Sequence, residues 1–118
     1  MKTSNDPRHI KRQKQIQLLF SQSFPHGEAY DKLIIPIMEN LPLIDEKITQ
    51  IAPEFPIDKI NKIDLAILRL CVYEVLIAKD APQKVIIDEG VELAKEFGAD
   101  SSPAFINGAL GKLVKEMS

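Results

Sequence analysis

A long helix without a polar face is the feature that most constrains how this chain can fold. The segment from Asn61 to Ala78 is apolar nearly all the way round, and its interior polar residues are Asp64, Arg69 and Glu74. Steps of five residues scatter these side chains around the helix instead of gathering them on one side. A helix with no polar face is a buried one. We therefore expect this segment, capped by Asn61 and supported in its first turn by Asp64, to form the centre of the protein.

The composition predicts one domain. A chain of 118 residues with 45% hydrophobic residues buries roughly two-thirds of the surface that its unfolded form exposes. No apolar run reaches the about 20 residues that a membrane-spanning helix needs, and no apolar signal sequence follows the N-terminus. The one cysteine, Cys71, lies inside the apolar helix and predicts a core residue in a reducing compartment. We expect a single domain over 1–118, soluble, cytoplasmic and without membrane contact, with a disordered tail at 1–6.

Helix signals elsewhere in the chain predict an all-α fold of about six helices. Apolar residues recur at helical spacing, and no segment alternates as a strand would. Prolines, glycines and capping residues set the boundaries, with Asp6 as the first cap. The predicted helices are 7–23, 28–40, 42–52, 61–78, 83–97 and 102 to the C-terminus, with one short helical turn within 54–60.

Four details of these helices follow from single residues. Pro36 lies inside the second helix and should kink it. Gly90 lies within the apolar stripe of the fifth helix and predicts close contact with another helix, while Ser102 should cap the sixth. The core-facing residues of the sixth helix are predicted to be Ile106, Leu110, Leu113 and Met117, with the small residues Ala104, Gly108 and Gly111 along another side.

The N-terminal helix is basic although the whole chain has a net charge of −2. The first 20 residues hold five basic residues against one acidic residue. Because the apolar stripe begins only at Ile16, we expect the first two turns to project into solvent. Such a basic segment suits phosphate binding with release of counterions. From composition alone, a merely solubilising helix end remains an equal alternative.

The sequence gives no signal for catalysis, a cofactor or a metal. His9 and His26 have no cysteine or carboxylate at metal-ligand spacing. Glu92 and Glu96 share a helix face, but the adjacent Lys95 favours a solvated surface over an acid/base pair. We therefore expect a protein that is not an enzyme and that binds neither a cofactor nor a metal ion.

The C-terminal half of the chain carries a series of linked motifs. In order, they are Leu68-Arg69-Leu70, Tyr73-Glu74, Asp80-Ala81-Pro82-Gln83-Lys84-Val85, Asp88-Glu89, Glu92-Leu93-Ala94-Lys95, Phe97-Gly98-Ala99 and Phe105-Ile106-Asn107-Gly108. In order and spacing they resemble the NusB family of transcription antitermination factors over about residues 60–115. The N-terminal helix resembles the arginine-rich helix of that family more loosely.

The resemblance implies a NusB-like bundle of two packed three-helix sub-bundles around the central helix, and an RNA-binding factor. Such a factor binds boxA-like single-stranded RNA together with the ribosomal protein NusE, and acts on the RNA polymerase complex indirectly. The RNA-binding residues implied are Arg8, His9, Lys11, Arg12, Lys14, Phe105 and Asn107, and the partner-binding residues are Phe20 and Asp64. A monomer or a weak homodimer is the expected state.

The chain also departs from the family pattern. The segment between the first and second helices is short, Phe20 replaces a tyrosine, Lys11 replaces a small residue, and Pro103-Ala104 stands where a basic residue is common. Several roles stay open: Phe105 as a core residue, Asp64 as a cap only, and Arg69 and Glu74 as structural residues that satisfy each other or the backbone.

Two alternative functions stay open as well. One is a protein-interaction module without RNA binding. The other is a domain related to the N-terminal part of ribosomal RNA cytosine methyltransferases, which would lack activity alone because the chain ends at Ser118 without a cofactor domain.

Overall fold

The computed structural model describes residues 6–22 and 31–117, and within these ranges it is helical, with no strand. The α-helices are α1 (Pro7–Ser21), α2 (Ile35–Glu39), α3 (Leu41–Ile51), α4 (Lys62–Tyr73), α5 (Gln83–Phe97) and α6 (Ser102–Glu116). A 3₁₀ turn at Ile57–Lys59 and a π-helical turn at Glu74–Ala78 complete the set. No helix in the described part of the chain is long and apolar enough to span a membrane.

The central position of α4 confirms the prediction made from its lack of a polar face. α1, α2 and α3 each pack against α4, whereas α5 and α6 pack against each other and against α4, and α3 also contacts α6. Ile67, Leu68, Leu70, Cys71 and Val72 of this helix are fully buried. The all-α bundle of two helix groups around a central helix is therefore confirmed.

The polar residues of α4 and of the turn after it have separate partners. Arg69 donates from Nε and Nη2 to the carboxylate of Asp45 on α3, at 3.0 and 2.8 Å. Glu74 instead accepts hydrogen bonds from Arg12 on α1. The idea that Arg69 and Glu74 satisfy each other is therefore wrong, because each holds a different neighbouring helix against the centre.

The central segment does not remain α-helical to Ala78 as predicted. The α-helix ends at Tyr73, and the wider π-helical turn follows. Lys79 then closes the turn in the left-handed region, with φ of 52°, and its N–H donates to the carbonyl of Glu74.

Gly90 provides the close helix contact that its position predicted. A Cβ atom at Gly90 would lie 3.0 Å from Sγ of Cys71 and 3.1 Å from Cδ1 of Leu110. Three helices therefore meet at this residue. Complete burial in this contact raises the pKa of the Cys71 thiol well above its ordinary value, which keeps the group a neutral core residue.

Several predicted helix details differ from the structure. Pro36 lies in the first turn of α2 and kinks nothing, because the helix begins at Ile35. The predicted residues 28–30 of that helix, and the predicted turn at 24–27, lie outside the described residues.

Met117 is 43% exposed and does not face the core, because α6 ends at Glu116. Ser102 is buried and accepts a hydrogen bond from the N–H of Ala99, so it braces the preceding loop while Ser101 occupies the N-cap position.

Candidate nucleic-acid interface

The first turn of α1 is fixed by Asp6. Its Oδ1 accepts a hydrogen bond from the backbone N–H of Arg8 at 2.9 Å, as expected for an N-cap. The same carboxylate contacts the Arg8 guanidinium at 3.4 Å. These interactions, led by the backbone hydrogen bond, lower the pKa of Asp6 below its ordinary value. The Arg8 side chain remains 83% exposed.

The middle of α1 is held to the body of the protein by a buried ion network. Arg12 donates from Nε and Nη2 to Glu74, at 2.8 and 2.7 Å, and from Nη1 to Glu89 at 3.1 Å. His9 lies between two carboxylates, with Nδ1 3.1 Å from Glu89 and Nε2 2.8 Å from Glu96. The hydrogen bond to Glu74 raises the pKa of Arg12 above its ordinary value, so this guanidinium is a permanent cation.

The network contradicts the expectation that the first two turns of α1 project into solvent. His9 is 4% exposed and Arg12 is 8% exposed. The physical reason is that α5 and the π-helical turn present carboxylates that pair with these two side chains. Direct RNA contact by His9 and Arg12 does not fit this placement, because their donors already face protein carboxylates.

Sequence reasoning missed the three acidic members of the network, although signals for them exist. Glu74 lies in an otherwise apolar segment, and a buried carboxylate needs a cationic partner. Glu89 and Glu96 are seven residues apart and therefore share one face of α5. Glu96 was expected on a solvated surface, but it also accepts from Nε2 of Gln13 at 3.2 Å. Glu92 does pair with Lys95 at the surface.

A basic face remains on the solvent side of α1. Arg8, Lys11 and Lys14 are exposed, and their spacing of three residues makes them neighbours along the helix. Gln15 is buried and donates to the carbonyl of Leu33 at 3.1 Å, which fixes the other half of α1. We call the three exposed cations Arg8, Lys11 and Lys14 the α1 basic face. The ion network behind it sets its orientation.

Phe105 lies at the rim of a cavity of about 360 Å³ near the start of α4. Its ring meets Phe55 edge to face, with centroids 5.9 Å apart and ring planes at 81°. Phe105 is half-buried and Phe55 is exposed. Asp64 lines the same cavity, and it is 8% exposed. Its buried Oδ1 accepts no hydrogen bond from the described residues, while Asn61 caps α4.

The other predicted site residues lie apart from this cavity. Asn107 is exposed and lines a groove between α5 and α6, together with Lys95 and Ala104. Phe105 lies on the opposite flank of α6, because two residues correspond to about 200° of helix. The small residues between the flanks are exposed, and a Cβ at Gly108 would meet nothing within 4 Å. Phe20 is half-buried against the core near the end of α1.

Comparison with known proteins gives matches over most of the chain. The family model described as the NusB family matches residues 5–115. The transcription antitermination protein NusB of Clostridium tetani is 48% identical over 81 residues, which are 69% of this chain and 53% of that protein. The corresponding protein of Geobacter sulfurreducens is 32% identical over 131 aligned positions, covering 93% of this chain and 95% of that protein.

A solved structure gives the same result at the level of the fold. The structure of T. maritima NusB superimposes with a TM-score of 0.84 and 34% sequence identity, covering 98% of this chain and 94% of that chain. The aligned part of the first clostridial relatives is between about half and two-thirds of their length. The match over residues 5–115 and the shared fold show that this chain belongs to the NusB family.

Proposed function

We propose that this protein is a non-enzymatic, RNA-binding transcription antitermination factor. The observation that carries the proposal is the family match over residues 5–115, supported by relatives named transcription antitermination proteins. The proposed ligand is boxA-like single-stranded RNA, bound together with NusE, and RNA polymerase is affected only through that complex. This activity belongs in the cytoplasm, where bacterial transcription takes place.

The RNA surface begins at the α1 basic face. Arg8, Lys11 and Lys14 contact phosphates, whereas His9 and Arg12 position the helix that carries them. This division follows from exposure: Arg8, Lys11 and Lys14 reach solvent, whereas Arg12 and the His9 ring are buried against carboxylates. The two groups therefore contribute to RNA affinity in different ways.

The second part of the proposed surface is α6. Phe105 stacks on a base from one flank of the helix, and Asn107 binds the strand from the other flank. The exposed small residues between them, Ala104 and Gly108, let the strand cross the helix close to its backbone. Base stacking on an aromatic side chain is tolerant of sequence.

The protein partner contacts Phe20 and Asp64. Support comes from the buried Oδ1 of Asp64, since a buried carboxylate oxygen without a hydrogen bond is costly and gains from an incoming donor. The same observation favours the second candidate function, a module that binds NusE without RNA.

Fluorescence anisotropy with labelled boxA-like RNA and a scrambled strand, each with and without NusE, tests the proposal. The expected result is tighter binding to the boxA-like strand, strengthened by NusE and weakened by salt. Equal, salt-insensitive or undetectable binding to both strands contradicts the RNA proposal. Binding of NusE without RNA, unchanged when Arg8, Lys11 and Lys14 are all replaced by Gln, supports the interaction module instead.

A further inference from the structure

A cleft of about 280 Å³ lies between the first half of α1 and the start of α5. Its apolar part consists of Ala81, Pro82 and Val85. Val85 is 38% exposed although it is a large apolar side chain. The cleft therefore offers a small apolar surface beside the most basic helix of the described residues.

Two cations of the α1 basic face stand at this cleft. Arg8 and Lys11 both line it, and both side chains reach solvent. Cations in this position can contact the phosphates that precede and follow a group bound between them. They give the cleft the charge complementarity that a nucleic-acid strand needs.

The remaining charges argue against a phosphate inside the cleft. Arg12 lines it, but so do the carboxylates of Asp6, Asp80 and Glu89. His9 lines it as well, but both His9 and Arg12 already face protein carboxylates. An anion inside the cleft would therefore gain little attraction from them and would face carboxylate oxygens. An uncharged ring with N–H donors on its edge suits such a lining better, since carboxylates accept hydrogen bonds.

We propose that this cleft binds one base of a single-stranded RNA. The ring packs on Ala81, Pro82 and Val85, and its polar edge faces the exposed carboxylate of Asp80, since Asp6 and Glu89 already accept hydrogen bonds within the protein. Its flanking phosphates lie on Arg8 and Lys11. The inference rests on the proposed function and deepens it, because it assigns a nucleotide subsite to a cleft that joins α1 to α5. Phosphate contacts hold the strand in register, and this subsite adds affinity that depends on a base.

Two substitutions of Val85 test the subsite without changing any charge. Val85→Phe fills the cleft, and Val85→Ser keeps it open but removes its apolar surface. Both should weaken binding of the boxA-like RNA, Val85→Phe by about tenfold or more, the equivalent of one buried apolar side chain. The slope of log affinity against log salt should stay unchanged, because no phosphate contact is lost.

An abasic strand of the same length provides the second arm, since it carries the phosphates without the bases. The wild type and both variants should bind this strand equally. Leu43→Phe is the matched control, because Leu43 is exposed on α3 and does not line the cleft. Circular dichroism is the control that each variant is folded.

The outcomes separate the subsite from the proposed function. Wild-type affinity for the boxA-like strand in both folded Val85 variants overturns the subsite and leaves RNA binding intact. An equal loss on the abasic strand also overturns it, because the cleft would then act without a base. Absence of RNA binding by the wild type overturns both the subsite and the proposed function.

Discussion

The Arg12 guanidinium stabilises the fold. Its removal should lower the free energy of unfolding more than the removal of its exposed neighbour Arg8. Arg12→Leu leaves Glu74 and Glu89 buried without their guanidinium partner. Loss of one member of a buried ion pair costs about 3 kcal/mol or more, so urea unfolding should show a decrease of that order in the free energy of unfolding. Arg8→Leu should change it by no more than about 0.5 kcal/mol, as is usual for an exposed residue. Equal losses in the two variants would contradict the ion network.

The N-cap of α1 should give a stability contribution that depends on pH. Hydrogen bonds from Arg8 lower the pKa of Asp6 in the folded protein below its ordinary value of 3.8. A lowered pKa means that ionised Asp6 stabilises the folded state fully above the ordinary value, and that this contribution disappears as the pH falls through the folded-state pKa. The difference in Tm between the wild type and Asp6→Asn should therefore be constant from neutral pH to about pH 5 and shrink below about pH 4. A difference that grows on acidification would contradict this assignment.

At the same scale, the sequence predicted the caps of α1 and α4, but neither the cap of α6 nor the partners of the charges. Asp6 and Asn61 cap helices as predicted, because capping depends only on the next two or three residues. The pairing of Arg12 with Glu74 joins residues 62 positions apart. No pattern among neighbouring residues indicates a contact between residues so far apart in the chain. A buried cation and an exposed one therefore look alike in the sequence.

At the scale of the helices, substitution of two glycines should change the stability of the protein in opposite directions. Gly90→Val brings a branched side chain against Cys71 and Leu110, so overpacking should destabilise the protein by about 1–3 kcal/mol. Gly108→Ala has open space around its new Cβ and should stabilise it by up to about 1 kcal/mol through helix propensity. Thermal unfolding of both variants measures the contrast. A Gly90→Val variant as stable as the wild type would show that α4, α5 and α6 do not meet as closely as described.

The helix boundaries show what local signals can determine. The bounds of α5, Gln83–Phe97, agree with the approximate prediction, because a break at Pro82 precedes the helix and Gly98 follows it. The π-helical turn at Glu74–Ala78 was not predicted, since its residues are ordinary helix formers and the wider turn leaves no mark in composition. Whether Met117 is buried likewise depends on where α6 ends. The apolar spacing that grouped it with Leu110 and Leu113 does not determine this.

At the scale of the whole molecule, the fold was predictable because one buried helix, α4, requires amphipathic neighbours on every side. The arrangement of the candidate site was less predictable. Phe105 and Asn107 are two residues apart in the chain but line different cavities on opposite flanks of α6. Asp64, expected near the protein partner, lies in the cavity of Phe105. The proposed RNA contact of Phe105 and the proposed partner contact of Asp64 therefore share one cavity.

The central claim is that the α1 basic face, and not the buried His9 and Arg12 side chains behind it, contacts RNA phosphates. The salt dependence of RNA affinity tests it most directly. Lys11→Gln should reduce the slope of log affinity against log salt by about 0.7, the value for one phosphate contact on a single strand. Lys47→Gln on α3 removes the same charge outside the proposed surface and should leave the slope unchanged. An unchanged slope in Lys11→Gln, or an equal reduction in both variants, would contradict the claim.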